Sequence, residues 1–222
     1  FLKEKEPIFN AYICLNPTLA VDINKQMQSY KLERFGTVDN TFYFYLSGNP
    51  YAKGQQLSKI KILTLSDHPL SPSGVGTQTK YFCESLLKSG RYSIISLGGA
   101  VKHKDYRPVY VDPYENNWKI IPIDGYGNAQ MLRSIVRNEK IDLVWFMTDP
   151  RFWGWLWEIE NEVRANVPMV YYHVWDNFPA PKFNSNYYNS NDVVACISNV
   201  THAIVKEVSP DLDSCYLPHA VN

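Results

Sequence analysis

The fold is decided by the stretch Ile60-Lys61-Ile62-Leu63-Thr64-Leu65-Ser66-Asp67-His68-Pro69-Leu70-Ser71-Pro72-Ser73-Gly74-Val75-Gly76-Thr77-Gln78-Thr79. The apolar run Ile60–Leu65 predicts a buried strand, and the Pro-, Ser- and Gly-rich segment after it predicts a loop that opens a helix near Thr77. Such a loop exposes backbone N–H groups at the positive end of the helix dipole, and Gly74 and Gly76 let another molecule come close to the main chain. The stretch therefore predicts a site for an anionic or sugar ligand.

The rest of the chain repeats this alternation of strand and helix. Seven apolar runs are candidate strands: Ile60–Leu65, Tyr92–Leu97, Trp118–Ile123, Ile141–Met147, Pro168–Val174, Val193–Ile197 and Cys215–Leu217. Several are continuous apolar runs, as strands covered on both faces require. Helical spacing lies between them at Thr77–Ser89, Ala129–Asn138, Arg151–Ala165 and Asn199–Val208. The order predicts an α/β fold with a doubly wound, mostly parallel, Rossmann-like sheet and ligands at the carboxyl ends of its strands.

A polar stretch at residues 52–59 separates this region from a differently patterned N-terminal part. We place a domain boundary there, with a small α+β appendage of unassigned role at residues 1–59 and the Rossmann-like domain at residues 60–222. The appendage is predicted to contain strands at Ile8–Leu15 and Thr41–Leu46 and a helix at Asp22–Phe35. In the second domain, Asn184–Asn191 consists only of Asn, Ser and Tyr and is predicted to be a loop without chemistry.

Composition excludes several classes of protein. The 222 residues carry 22 Lys and Arg against 22 Asp and Glu, so the wide basic field of a nucleic-acid-binding protein is missing. The four cysteines are far apart, which favours reduced thiols over disulfides or a metal site. No apolar run approaches the roughly 18 residues of a membrane span, and the first residues lack the apolar core of a secretory signal. These features predict a cytoplasmic protein without a metal.

The known nucleotide and hydrolase motifs are absent or incomplete. Gly74 and Gly76 begin a G-x-G-x-x-G pattern, but Thr79 stands in the place of its third glycine. The second strand ends in Gly98-Gly99 with no acidic residue for an adenosine ribose, and no G-K-[ST] or G-x-S-x-G is present. A dehydrogenase, a P-loop enzyme and a serine hydrolase are therefore disfavoured.

Polar residues follow the candidate strands where a doubly wound sheet places its ligand. They are Asp67 and His68 after the first strand, Thr148 and Asp149 after the fourth, His173 and Asp176 after the fifth, and Ser198 and Asn199 after the sixth. Asp67, Asp176 and His173 also have structural alternatives: a hydrogen bond or cap within a turn for the two aspartates, and a buried, hydrogen-bonded core role for the histidine. The aromatic cluster Phe152–Trp157 is interpreted as core, with sugar stacking or a subunit contact as alternatives.

The strand-end loop with Gly74 and Gly76, the order of these segments and the closing Tyr216-Leu217-Pro218-His219-Ala220-Val221-Asn222 resemble the N-terminal domain of GT-B glycosyltransferases of the family-4 type. The resemblance covers residues 60–222. That family commonly has I-P-N-G-V-D in the closing segment, so the match there rests on Pro218, Val221 and the flanking strand.

The resemblance implies a retaining transferase that moves a sugar from a nucleotide sugar to a carbohydrate, lipid or protein acceptor, with no cofactor. Gly74 and Gly76 match the family's glycine loop at the substrates, so Val75 and Thr77 beside them are also candidates for substrate binding. His173 matches the histidine that faces the reacting sugar. Asp176, three residues further on, is a candidate for orienting a substrate hydroxyl. The family's nucleotide-sugar site lies mainly in a second, C-terminal Rossmann-like domain.

The sequence also allows other functions. They are a nucleotide-sugar epimerase or dehydrogenase, and a carbohydrate-binding or scaffolding domain without catalysis. Peripheral membrane contact and homo-oligomerisation also remain open.

Overall fold

The computed structural model describes residues 31–38, 41–47 and 59–219. The chain divides into two compact units, Phe1–Leu57 and Ser58–Asn222. In the first unit, strands β1 (Lys31–Val38) and β2 (Thr41–Ser47) form an antiparallel two-stranded sheet.

The sheet of the first unit tests two predictions for the appendage. The predicted strand Thr41–Leu46 is confirmed as β2. The helix predicted over Asp22–Phe35 is wrong from Lys31 onward, because the backbone there forms a ladder with β2 and this pairing overrides local helical spacing. The predicted strand Ile8–Leu15 lies outside the described residues.

The second unit is an α/β structure built on one mostly parallel sheet. Its strands are β3 (Ile60–Asp67), β4 (Tyr92–Gly99), β5 (Val109–Val111), β6 (Glu115–Pro122), β7 (Leu143–Met147), β8 (Met169–His173), β9 (Val193–Cys196) and β10 (Ser214–Tyr216). They lie in the order β10-β9-β8-β7-β3-β4-β6-β5, and only the β5–β6 pair is antiparallel. This confirms the predicted α/β class and the mostly parallel sheet, and the order is compatible with a Rossmann-like fold.

Helices connect these strands. They are α1 (Gly74–Lys88), α2 (Ala129–Glu139), α3 (Gly154–Trp157), α4 (Glu160–Arg164), α5 (Ser185–Asn189) and α6 (Asn199–Val208), with short 3-10 turns at Pro150–Phe152 and Lys182–Asn184. Among the described helices, none is long and apolar enough to cross a membrane.

Successive side chains of each strand enter two different cores, because the strand period is two. On one face, Leu63 and Phe146 pack with the residues that follow β7, among them Trp153, Leu156 and Trp157. On the other face, Ile62, Trp145 and Tyr172 lie with residues of α1, including Cys83 and Leu87. Both faces of the central strands are therefore buried, which explains their continuous apolar sequences.

Three segments differ from prediction. The helix predicted at Arg151–Ala165 is interrupted: Trp153 and Ile159 adopt non-helical backbone angles, and Gly154 and the neighbouring aromatic residues have low helix propensity. These breaks accompany complete burial of Trp153 and Leu156. Asn184–Asn191 is not a loop, because Ser185–Asn189 forms α5. Strand β5 was not predicted, since three mostly exposed residues at a sheet edge give too short a pattern.

Candidate functional site

The carboxyl ends of β3 and β7 are neighbours at the middle of the sheet. From β3 the chain goes on to β4 on one side, and from β7 it goes on to β8 on the other. Sheets with this arrangement have a crevice outside the strand ends at such a switch point. The residues predicted from the sequence therefore belong to loops at one edge of the sheet.

Asp67, at the end of β3, ties two of these loops together. Its carboxylate accepts hydrogen bonds from the Ser73 hydroxyl at 2.7 Å and from the Tyr126 hydroxyl at 2.8 Å. Burial, reinforced by Asp67, raises the pKa of Tyr126 to about 12. Asp67 is itself buried, so this network fixes the loop before α1 against the loop after β6.

Tyr126 was missed by the sequence reasoning, although a signal was present. It lies between Gly125 and Gly127, which both have positive φ, of 63° and 86°, and Gly125 is three residues past the end of β6. A Gly-Tyr-Gly turn at a strand end is a place where the chain turns sharply and exposes one side chain. Its partner Asp67 is 59 residues away in the sequence.

Gly74 and Gly76 have different surroundings. A Cβ on Gly76 would lie 2.6 Å from both the His68 carbonyl oxygen and the Ser71 hydroxyl. The close packing of the loop therefore requires glycine at position 76. Apart from its chain neighbours and the backbone of its own helix, no heavy atom lies within 4 Å of the corresponding position on Gly74, which is the first residue of α1. Of the two glycines, Gly74 leaves space for another molecule.

Some of the backbone N–H groups at the N-terminus of α1 already have hydrogen-bond partners in the loop before it. The Ser73 hydroxyl accepts a hydrogen bond from the Gly76 N–H at 2.9 Å, and the Ser73 carbonyl accepts one from the Thr77 N–H. Val75 packs against the core on the α1 face of the sheet. With the Asp67 carboxylate behind Ser73, negative charge already stands at this helix end, which works against a tightly bound phosphate.

Thr77 lines a shallow depression of about 290 Å³ outside this loop. Its other lining residues are Pro69, Leu70, Ser71, Lys80 and Tyr81. The Lys80 ammonium lies 3.9 Å from the Glu84 carboxylate, so the cation in the depression already has a counter-ion.

His68 stands at the edge of the same loop. The Leu70 N–H donates to its Nδ1 at 3.1 Å, which places the proton of the neutral ring on Nε2. Burial, and then the nearby His103, lower its pKa. The Nε2 atom of His103 lies 3.0 Å and 3.2 Å from the carbonyl oxygens of Gly98 and Ile123, so this nitrogen is the donor. His68 is therefore a neutral hydrogen-bonding group at neutral pH.

A second depression, the β7–β8 cavity, lies where these two strands end. It measures about 310 Å³ and is lined by Asp149, Arg151, Val174, Trp175, Asp176 and Asn177. Asp149 accepts hydrogen bonds at 2.9 Å from both the backbone N–H and the side-chain Nε of Arg151. Asp176 is exposed and has no ion pair with any residue in the described part of the chain. The cavity thus brings two of the predicted residues together, with one carboxylate paired and one free.

His173 is the fully buried last residue of β8, and the next residue, Val174, lines this cavity. Its Nε2 lies 2.8 Å from the Tyr188 hydroxyl, and its Nδ1 has no hydrogen-bond partner among the described residues. Burial lowers the pKa of His173 to about 3, although the Asp149 charge raises it. The ring is therefore neutral at pH 7. Because it has no exposed surface, a ligand reaches its Nδ1 only if the side chains around it move.

Thr148 occupies a strained position between β7 and Asp149. Its φ is 134°, in the region that favours glycine, and it is buried. Its carbonyl oxygen accepts a hydrogen bond from the Tyr171 hydroxyl at 2.7 Å. Strained residues concentrate at binding and catalytic sites, so this outlier agrees with a ligand site at the β7 end.

Ser198 and Asn199 are farther along the edge, after β9. The Ser198 hydroxyl accepts a hydrogen bond from the Thr201 N–H at 3.0 Å and caps α6, while Asn199 is the exposed first residue of that helix. Ser198 therefore has a structural role that accounts for it.

The described part of the chain contains no group of side chains suited to binding a metal ion. Within residues 59–219, His, Cys, Asp and Glu side chains form no group of three or more that could hold a metal ion.

Comparison with known proteins gives no further guidance. The chain matches no protein-family model and no curated protein sequence.

Proposed function

We propose that this chain is the acceptor-side half of a retaining glycosyltransferase that uses a nucleotide sugar. The single observation that carries the proposal is His173 at the end of β8. It is a neutral and fully buried imidazole whose Nδ1 has no hydrogen-bond partner among the described residues. In this proposal the α/β unit is the N-terminal domain of a cytoplasmic GT-B enzyme, as its sequence resemblance implies.

The tautomer of His173 favours a hydroxyl ligand in either case. If the Tyr188 hydroxyl donates to Nε2, then Nδ1 carries a proton and needs an acceptor. If Nε2 donates, then Nδ1 has a free lone pair and needs a donor. A sugar hydroxyl can serve as either partner, whereas an ionised phosphate oxygen can only accept. The site is therefore better matched to a sugar than to a diphosphate.

The charges at the strand ends also favour a sugar over a diphosphate as the ligand of this half of the enzyme. Asp67, Asp149 and Asp176 contribute carboxylates, and Arg151 is paired with Asp149. A diphosphate needs cations or free helix N–H groups, and here the α1 end is capped by Ser73 and backed by Asp67. In the proposed enzyme the cations that hold the leaving diphosphate come from a second Rossmann-like domain, and the cleft between the two domains is the active site.

The reaction would break the bond between the anomeric carbon and the diphosphate oxygen and form a bond from that carbon to an acceptor hydroxyl oxygen. The hydroxyl proton passes to the departing phosphate oxygen. Positive charge develops on the sugar ring, so stabilisation of the leaving group supplies most of the rate. His173 would hold a hydroxyl of the transferred sugar, and the loop at Gly74 would border the reacting groups.

The test uses the gene product that carries residues 1–222 together with any sequence that follows Asn222, assayed with uridine and guanosine diphosphate sugars. Replacing His173→Ala is expected to lower the transfer rate by about 100-fold, because a positioned hydrogen bond at the reacting sugar is lost. The matched control is His202→Ala on α6, for which transfer stays near wild type. An unchanged rate in His173→Ala would remove this residue from the site.

A separate measurement tests whether the enzyme needs a second domain to bind and transfer the nucleotide sugar. The 222-residue chain alone is expected to bind a nucleotide sugar weakly and to transfer nothing. Tight binding and turnover by this chain alone would show that no second domain is needed.

A further inference from the structure

The β7–β8 cavity has features that the proposed role of His173 does not use. Its lining combines the paired Asp149 and Arg151, the unpaired carboxylate of Asp176, the Asn177 residue and Trp175. One positive and two negative charges give this lining a net charge of minus one. The cavity therefore repels phosphates and uronates, while its carboxylate oxygens can accept hydrogen bonds from hydroxyl groups.

Two aromatic side chains contact residues that line the same cavity. The Trp175 and Phe183 ring centroids are 6.2 Å apart. Phe183 is 74% exposed, which is high for phenylalanine. Phe152 is 41% exposed, and its ring centroid lies 5.9 Å from the guanidinium of the lining residue Arg151. Exposed aromatic side chains in contact with the lining of a polar depression favour a binding site.

The size of the cavity restricts its occupant. Its volume of about 310 Å³ is at the lower end of the roughly 300–1,000 Å³ typical of small-molecule sites. This accommodates a single sugar ring with some water, and it is small for a complete nucleotide sugar. A pyranose ring presents C–H bonds on its faces and hydroxyls around its edge, which matches aromatic faces beside carboxylates.

We infer that the β7–β8 cavity binds one uncharged sugar residue of the acceptor, which packs on Trp175 and donates hydroxyl hydrogen bonds to Asp176. The identification of this sugar as part of the acceptor rests on the proposed function. The binding of a sugar itself depends only on the residues of the cavity. The residue bound is the end of a free glycan or of a glycolipid headgroup, since both present the same ring.

Binding is measured with the 222-residue chain by saturation-transfer NMR and by titration of tryptophan fluorescence. The probes are neutral oligosaccharides built from glucose, galactose, mannose and N-acetylglucosamine, the corresponding uronic-acid oligosaccharides, and vesicles with or without a neutral glycolipid. At least one neutral glycan is expected to bind, and the uronic-acid counterpart is expected to bind at least about tenfold more weakly. Vesicle binding only in the presence of the glycolipid would identify the lipid-linked source.

Two substitutions locate the site. Trp175→Ala and Asp176→Asn are each expected to weaken glycan binding by about tenfold, because one removes the apolar platform and the other a charged acceptor. Trp175→Phe retains an aromatic ring and is expected to keep binding within about threefold, which separates loss of stacking from loss of fold. The controls are Tyr110→Ala, an exposed aromatic residue on β5, and Asp211→Asn, an exposed acid in the turn before β10.

The outcomes separate this inference from the proposed function. Neutral-glycan binding that depends on Trp175 and Asp176, in a protein without transferase activity, supports the cavity and rejects the transferase. Transferase activity whose acceptor KM is unchanged in both variants rejects the cavity and leaves the transferase in place. Absence of neutral-glycan binding, binding unaffected by both variants, or stronger binding of the uronic-acid series would each overturn the inference.

Discussion

The Asp67 carboxylate accepts a hydrogen bond from the Ser73 hydroxyl at 2.7 Å, across the loop that joins β3 to α1. Ser73 also caps α1 through the Gly76 N–H. One hydroxyl thus links the end of a central strand to the start of the helix that follows it. The loop is therefore held by hydrogen bonds among its own residues.

Ser73→Ala is expected to lower the free energy of unfolding by about 1–2 kcal/mol, because the helix loses its cap and buried Asp67 loses a donor. The measurement is urea denaturation followed by tryptophan fluorescence. Ser71→Ala is the matched control: its hydroxyl lies 3.2 Å from the Ser73 hydroxyl and caps no helix, so a loss below about 0.5 kcal/mol is expected. Equal losses in the two variants would contradict the role of Ser73.

Gly76→Ala and Gly74→Ala are expected to have opposite effects. A Cβ at Gly76 meets the His68 carbonyl oxygen and the Ser71 hydroxyl at 2.6 Å, so we expect a loss of about 2–3 kcal/mol in the free energy of unfolding. Gly74 has open space at that position, and alanine there is expected to be neutral or to stabilise by up to about 1 kcal/mol. Denaturant titration compares the two. A tolerated Gly76→Ala would mean that the loop adjusts without cost.

The strands were predictable because both faces of the central sheet are covered. Runs such as Leu143–Met147 must then be apolar throughout, and all seven predicted strands are present with bounds shifted by a few residues. The helix predicted at Asn199–Val208 has the observed bounds, since the Ser198 cap lies next to its apolar spacing. The positions of these strands and helices can therefore be predicted from local sequence periodicity. The parallel topology then brings the carboxyl ends of the strands together.

The detail of the site depends on contacts between distant residues, which one sequence does not encode locally. Tyr126 reaches Asp67 from 59 residues away, and nothing around either residue specifies the other. Tyr188, the partner of His173, lies in a segment predicted to be a loop without chemistry. The two glycines of the loop look alike in sequence, and only the surrounding atoms distinguish Gly76, which the loop requires, from Gly74, which it does not.

Tyr188→Phe is expected to lower the free energy of unfolding by about 1–2 kcal/mol. The change removes the hydroxyl that lies 2.8 Å from His173 Nε2 and leaves this buried nitrogen without a partner. The neighbouring Tyr187→Phe is the control, because the Tyr187 ring stacks on Trp157 at 4.6 Å and phenylalanine preserves that contact. Thermal and urea unfolding measure both, and equal stability of the two variants would mean that the hydroxyl of Tyr188 contributes nothing.

The burial of His173 predicts a dependence of stability on pH. Burial lowers its pKa from the ordinary 6.5 to about 3, so between these values the unfolded chain binds a proton that the folded chain does not. Stability from this group is complete above pH 6.5 and is lost as the pH falls, with a slope that approaches about 1.4 kcal/mol per pH unit well below 6.5. His68, whose pKa is also lowered, contributes in the same direction.

His173→Gln isolates this contribution. Its free energy of unfolding, measured by urea titration from pH 8 to pH 4.5, is expected to fall less steeply than that of the wild type below pH 6.5, by about 1 kcal/mol per pH unit. Above pH 7 the two curves should run parallel, because the wild-type histidine is then neutral in both the folded and the unfolded state. Parallel curves over the whole range would show that His173 takes up its proton as readily in the folded as in the unfolded protein, and the lowering of its pKa by burial would then be wrong.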